Sequence, residues 1–128
     1  MQKNIKSKLP TEYKEFLLKY NKKRPIKITF DIPNEGSSLI DIFYNLSNDN
    51  LKPLSYNPDI LAIGNDQNGN IIGIGISTSN YNKIFFIDHE TLNIIKLSGS
   101  FSNFIDNLYE YKDEDLIEEL IKITILRV

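Results

Sequence analysis

Ile60-Leu61-Ala62-Ile63-Gly64-Asn65-Asp66-Gln67-Asn68-Gly69-Asn70-Ile71-Ile72-Gly73-Ile74-Gly75-Ile76-Ser77 is two apolar runs around a polar, turn-forming centre. Asn68-Gly69 is a strong short-range hairpin signal, because both residues tolerate the positive φ that a type I′ turn needs at its two central positions. The stretch predicts the central hairpin of an antiparallel sheet. Ile84-Phe85-Phe86-Ile87 and Leu92 to Leu97 follow as further strands, with Asp88-His89-Glu90-Thr91 as the turn between them. Four strand-like segments from 60 to 97 joined by short polar turns favour a meander over βαβ units.

Upstream, Leu9, Tyr13, Phe16, Leu17 and Tyr20 recur at helical spacing behind Pro10, with Glu12, Lys14, Glu15 and Lys19 opposite. This predicts an amphipathic helix of about three turns, ended by Asn21 and Pro25. Residues 26–32 alternate as a strand, Pro33-Asn34-Glu35-Gly36 turns, and Ser38 to Leu46 forms a second strand. Ser47 to Pro58 reads as an irregular loop. Downstream, Ser100 caps a helix carrying Phe101, Phe104, Ile105, Leu108 and Tyr111. A last helical segment starts near Asp113 or Asp115, with Leu116, Ile117, Leu120 and Ile121 as its stripe, and Ile123–Val128 fits helix or strand. The expected fold is α+β: a mostly antiparallel sheet of about five to six strands, one N-terminal helix and one or two C-terminal helices packed around it. Residues 1–128 form a single domain, with 1–8 as a frayed end.

The 128 residues carry a net charge of −2, which argues against a general nucleic-acid binder, since that function needs a basic field. Cysteine is absent, which removes disulfides, thiolate nucleophiles and zinc–thiolate sites. No apolar run suggests a secretory signal or a membrane span, so the expected location is cytoplasmic.

Candidate chemistry fails on specific residues. Gly64 and Gly69 have the spacing of a phosphate-binding loop, yet Asn70-Ile71 stands where Lys-Ser/Thr is required. Asp66-Gln67-Asn68-Gly69-Asn70 resembles the start of a calcium loop, but Ile71 and Ser77 replace its Gly and bidentate Glu. Gly73-Ile74-Gly75 is a lone GxG inside a strand, where close packing explains both glycines. Asp88-His89-Glu90 holds the only histidine, and strand alternation sends neighbours to opposite faces, so a turn residue is the simpler reading than a metal or small-ligand site. No catalytic residue, cofactor or metal is expected.

Four blocks resemble the SUKH superfamily, specifically its Smi/Knr-like bacterial immunity-protein branch. Leu9-Pro10-Thr11-Glu12-Tyr13-Lys14-Glu15-Phe16-Leu17-Leu18-Lys19-Tyr20-Asn21 is similar to the family's LPxxYKxFLxxxN helix. Residues 63–72 resemble its IGNDxxGNxI hairpin, residues 81–90 its YGKIYFWDHE strand, and residues 100–105 its SFxxFL helix start. The basic lead-in before Leu9, Lys22-Lys23 in place of Gly-Gly, and Ile87 in place of Trp depart from the pattern. The resemblance implies helices around a mostly antiparallel sheet, and a non-enzymatic immunity protein of a polymorphic toxin system that blocks a cognate toxin domain, often a nuclease, by binding it. The alternative is a regulatory scaffold or adaptor for an endogenous signalling or cell-envelope factor. Direct nucleic-acid and membrane binding are not expected, and the oligomeric state is left open. The expected partner surface is the polar hairpin tips and acidic edge: Tyr44, Asp49, Tyr56, Asn65, Asp66, Asp88, Glu90, Glu114 and Asp115. Acidic contacts there would steer a basic nuclease, and lysine at Asp66 or Asp88 is expected to weaken binding.

Overall fold

A computed structural model describes residues 9–20, 27–45 and 49–110. In chain order these form α1 (Thr11–Tyr20), β1 (Thr29–Ile32), β2 (Gly36–Phe43), β3 (Pro53–Leu54), β4 (Asn57–Asp66), β5 (Ile71–Gly75), β6 (Ile84–Ile87), β7 (Ile94–Ser98) and α2 (Phe101–Asp106). All strand pairs are antiparallel, in the order β1-β2-β4-β5-β6-β7, with β3 beside β4. This is the expected α+β class. Among the described residues the sheet has seven strands, one more than expected, because the Asn/Pro-rich stretch contains the two-residue β3 beside β4. The helix stops at Asn21 and Pro25, the frayed 1–8, and the segments beyond Glu110 lie outside the described residues.

The opening hairpin forms, with a different turn. Asp66 N–H donates to Asn70 O and Gly69 N–H to Asp66 O, closing a three-residue loop of Gln67, Asn68 and Gly69. Only Gly69 takes positive φ (85°), whereas Asn68 does not. A type I′ turn needs both, so the chain uses a type I turn followed by a left-handed glycine, the next commonest hairpin connection. Close approach accounts for Gly73 and Gly75. A Cβ at Gly73 would run into Ile60 and Ile87, and one at Gly75 into the backbone of Asn80.

The sheet curls. Phe30 on β1 and Phe86 on β6 have ring centroids 6.1 Å apart although three strands, β2, β4 and β5, separate them in the sheet order. α1 and α2 pack over the concave side. Leu9, Tyr13, Phe16 and Leu17 form the buried stripe of α1 at the predicted helical spacing. Tyr13 and Phe16 pack against Phe101 of α2 at 5.1 Å each, and Phe16 meets Phe43 of β2 at 5.0 Å. The Tyr13 hydroxyl, fully buried, donates to the carbonyls of Tyr44 (2.6 Å) and Ile63 (3.2 Å), which fastens α1 to the end of β2 and to β4. Burial pushes that phenol far above its ordinary pKa.

α2 is shorter than the spacing of Phe101, Phe104, Ile105, Leu108 and Tyr111 predicts. It ends at Asn107, and the chain then pairs Tyr109 with Thr29 on the outer edge of β1. Covering an open sheet edge wins over another helical turn.

Glu12 ties the two helices to the β5–β6 turn. Its carboxylate accepts from the Asn82 side chain (2.9 Å) and from the Ser102 N–H (2.8 Å) at the start of α2. The Asn82 amide, helped by Ser102 and opposed by partial burial, holds the carboxyl below its ordinary value. A depressed folded-state pKa contributes stability that is complete above the unfolded value and is lost as pH falls through the folded one. Glu12→Gln should therefore cost about 1 kcal/mol at pH 7, a modest figure for a group in contact with solvent. The difference from wild type should shrink as pH falls below about 4. Urea titrations at pH 7 and pH 3 test this, and an equal difference at both would remove the charged latch.

Candidate partner-binding surface

Antiparallel pairing decides which turns are neighbours. The β1–β2 turn, the β4–β5 loop and the β6–β7 turn all emerge at one end of the sheet, because Ile32 pairs with Gly36, Ile40 with Asp66, and Ile71 with Ile87. The opposite end carries Tyr44, Asp49, Tyr56 and the β5–β6 turn. β4 runs between these ends over ten residues, about 30 Å. The expected residue set is thus split. Asn65, Asp66, Asp88 and Glu90 share one end, whereas Tyr44, Asp49 and Tyr56 lie at the other, and Glu114 and Asp115 fall outside the described residues.

Two of the expected contacts are not on the surface. Tyr44 is buried, its N–H donating to Ile63 O (2.7 Å) and its carbonyl taking the Tyr13 hydroxyl. Asp66 is 1% exposed. Its Oδ1 accepts from the N–H groups of Asn68 (2.9 Å) and Asn70 (2.8 Å), and its Oδ2 from the Ser38 hydroxyl (2.7 Å) and the Asn70 amide (3.2 Å). With four donors satisfied, this carboxylate builds the hairpin and offers nothing to a partner. Lysine at Asp66 therefore tests folding, which corrects its expected use as a probe of binding.

Asn70 extends the network sideways. While its amide nitrogen serves Asp66, its Oδ1 accepts from the His89 backbone N–H (3.1 Å) and lies 2.7 Å from His89 Nδ1. That acceptor places the proton on Nδ1 in the neutral ring. His89 Nε2 stands 3.7 Å from Glu90 Oε1 in a solvent-exposed pair. Asp88 closes its own turn by accepting from the N–H groups of Glu90 (2.8 Å) and Thr91 (3.0 Å), and those donors, Thr91 first, hold its carboxyl below the ordinary value. The Asp88-His89-Glu90 cluster is thus engaged in turn geometry. Among the described residues no group of three or more His, Asp or Glu side chains is disposed to hold a metal, and no helix is long and apolar enough to cross a membrane.

Among the described residues, one cross-linked end of the sheet carries a single sign of charge. Residues 30–42, 64–72 and 86–95 hold Asp31, Glu35, Asp41, Asp66, Asp88 and Glu90 and no Lys or Arg, in a chain whose net charge is only −2. Asp31, Glu35, Asp41 and Glu90 are exposed and Asp88 is half-buried. Asp31 also accepts from the Tyr109 hydroxyl (2.6 Å), which raises that phenol's pKa. Asp31, Glu35 and Asp41 were not among the expected contacts. Strand parity was the signal that would have found them, since alternate turns of a meander share an end.

A family model described as "SUKH_6: SMI1-KNR4 cell-wall" matches residues 1–105. No curated protein matches the chain, and no solved structure does. The match spans the helix that carries Tyr13, the whole sheet and the start of α2, so the chain belongs to the SUKH (SMI1-KNR4) family.

Proposed function

We propose that this protein acts by binding another protein rather than by catalysis, and that it is an immunity protein neutralising a cognate toxin domain in the bacterial cytoplasm. The observation that carries the reading is the acidic end of the sheet, where Asp31, Glu35, Asp41, Asp88 and Glu90 stand around two turns that the Asp66–Asn70–His89 network ties together. A rigid surface of one charge steers an oppositely charged partner and loses little ordering entropy on binding. A nuclease domain, basic so as to hold phosphates, is the toxin class that suits it. A complex of standard size would bury about 800 Å² of this chain.

The family's cell-wall description favours one second reading, an adaptor for an endogenous cell-envelope factor. Co-expression separates the two. The immunity reading expects a toxin-like domain encoded beside this gene, and that domain, co-expressed with the chain, should co-purify with it and lose its toxicity. Co-purification from the native host of a housekeeping envelope protein alone would favour the adaptor.

A further inference from the structure

We propose that Asn68-Gly69, at the tip of the β4–β5 hairpin, is a self-modifying site that converts to aspartate and isoaspartate. The conversion adds charge to the acidic end and, as isoaspartate, releases the hairpin tip. It is internal to the chain and consumes only water. The Gly69 nitrogen bonds to Asn68 Cγ, closing a five-membered imide. The Cγ–Nδ2 bond breaks, and the amide leaves as ammonia with the proton that Gly69 gave up. Water then opens the imide at one of its two carbonyls. Opening at Cγ restores the ordinary backbone, with aspartate at position 68. Opening at the backbone carbonyl leaves isoaspartate, in which the chain runs through Cβ and Cγ.

Ring closure needs an unhindered nitrogen, an amide that is not held elsewhere, and a peptide that rotates to bring the two together. Of the six glycines only Gly69 follows an asparagine. Asn68 is exposed, and among the described residues no hydrogen bond holds its side-chain amide. Asn70 differs on every count. It is half-buried, its amide donates to Asp66 Oδ2, its Oδ1 accepts from the His89 N–H, and the branched Ile71 follows it. The N–H groups of Asn68 and Asn70 are held by the charged Asp66 Oδ1 at 2.9 and 2.8 Å. That of Gly69, between them, goes to the neutral Asp66 carbonyl at 3.2 Å, the weakest of the three holds. Space around Gly69 is open, since an added Cβ would meet nothing within 4 Å. The reacting nitrogen is thus the loosest point of a loop that is otherwise pinned.

The two products act differently on that loop. Either one takes the formal net charge from −2 to −3, one carboxylate more. On the binding reading above, this changes the surface that a partner meets, although the conversion itself does not depend on that reading. Isoaspartate also inserts a methylene between the two N–H donors that share Asp66 Oδ1, so both no longer reach it.

The test is incubation of the full chain at 37 °C, followed by fragmentation mass spectrometry and isoaspartyl methyltransferase labelling. The chain should gain one mass unit at Asn68, and about tenfold faster at pH 8 than at pH 7, because the amide anion is the nucleophile. Asn68→Gln, which would have to close a six-membered ring, should stay unmodified. The purified isoaspartate form should melt at least about 5 °C below the unconverted chain, whereas Asn68→Asp should melt within about 2 °C of it. A position 68 as durable in wild type as in Asn68→Gln, or one that converts in urea but not in the folded chain, would overturn the site. An isoaspartate form that melts with the unconverted chain would overturn the release of the hairpin tip. No partner enters these measurements, so their failure and that of the immunity reading are distinguishable.

Discussion

Asp66→Lys should destabilise the free protein by about 3–5 kcal/mol, enough to lower its melting point by about 10–20 °C. The substitution removes the acceptor of four hydrogen bonds and puts an ammonium beside Ser38 and two backbone N–H groups at a position only 1% exposed. Two of those donors belong to the loop that sets the β4–β5 register, so the damage reaches the strand pair at the centre of the sheet. Asp66→Asn retains one acceptor oxygen and should cost about 1–2 kcal/mol. Thermal and urea denaturation of the three proteins test this. A loss under about 1 kcal/mol for the lysine variant would show that the loop does not depend on the carboxylate. A fall in partner binding by this variant therefore reports unfolding, and the exposed Glu35, Asp41 and Glu90 are the acidic positions to use as probes.

A local irregularity concealed the role of Asp66. Alternation along Leu61, Ala62 and Ile63 carries Asp66 to the same face as Ala62, the outer one. The ladder to β5 skips one residue between Ala62 and Gly64, and the ladder to β2 shifts between Ile40 and Ile42. A one-residue bulge reverses every later side chain, so Asn65 turns outward beside Ile42 and Asp66 turns inward beside Ile40. Nothing in Ile-Leu-Ala-Ile-Gly announces that step except the glycine, where an added Cβ would stand 2.5 Å from the Ile42 carbonyl oxygen. Tyr44 was misplaced for a related reason. A tyrosine beside an Asn-rich loop looks exposed, yet its backbone is where Tyr13 anchors α1, a contact 31 residues away in sequence.

What was legible followed from short-range patterns: the α1 stripe, the order of strands from β4 to β7, and Ser100 as the cap of α2, whose hydroxyl accepts from the Asn103 N–H at 3.1 Å. The burial of both faces of β6 was open to the same kind of reading, because Ile84–Ile87 is apolar at every position and cannot have a polar face. Which of those faces the helices cover is a tertiary fact, and periodicity carries no information on it.

Phe101→Ala should cost about 3–5 kcal/mol, the usual range for removing a buried aromatic ring. Phe101 is 2% exposed and touches Tyr13 and Phe16 of α1 and Phe43 of β2, so it joins both helices to the sheet. α2 has six residues, too few to persist without packing. Its remaining holds include Phe104, the Ser100 cap, the Asn103 amide on the Ser98 hydroxyl, and the bonds from the Phe101 N–H to Asn82 and from the Ser102 N–H to Glu12. Loss of the ring should therefore free the helix before the sheet opens. Hydrogen exchange would show it as lost protection at Phe104 and Asn107, and at the Thr29–Tyr109 bridge that α2 delivers, with Ala62 and Ile72 of the central hairpin still protected. Tyr13→Phe is the matched comparison. It keeps the ring against Phe101, removes only the hydroxyl bonds to Tyr44 O and Ile63 O, and should cost about 1–2 kcal/mol with α2 protection retained. Equal losses in the two variants, or uniform loss of protection across the sheet in Phe101→Ala, would mean that helices and sheet unfold as one unit and that α2 is not a separable clamp.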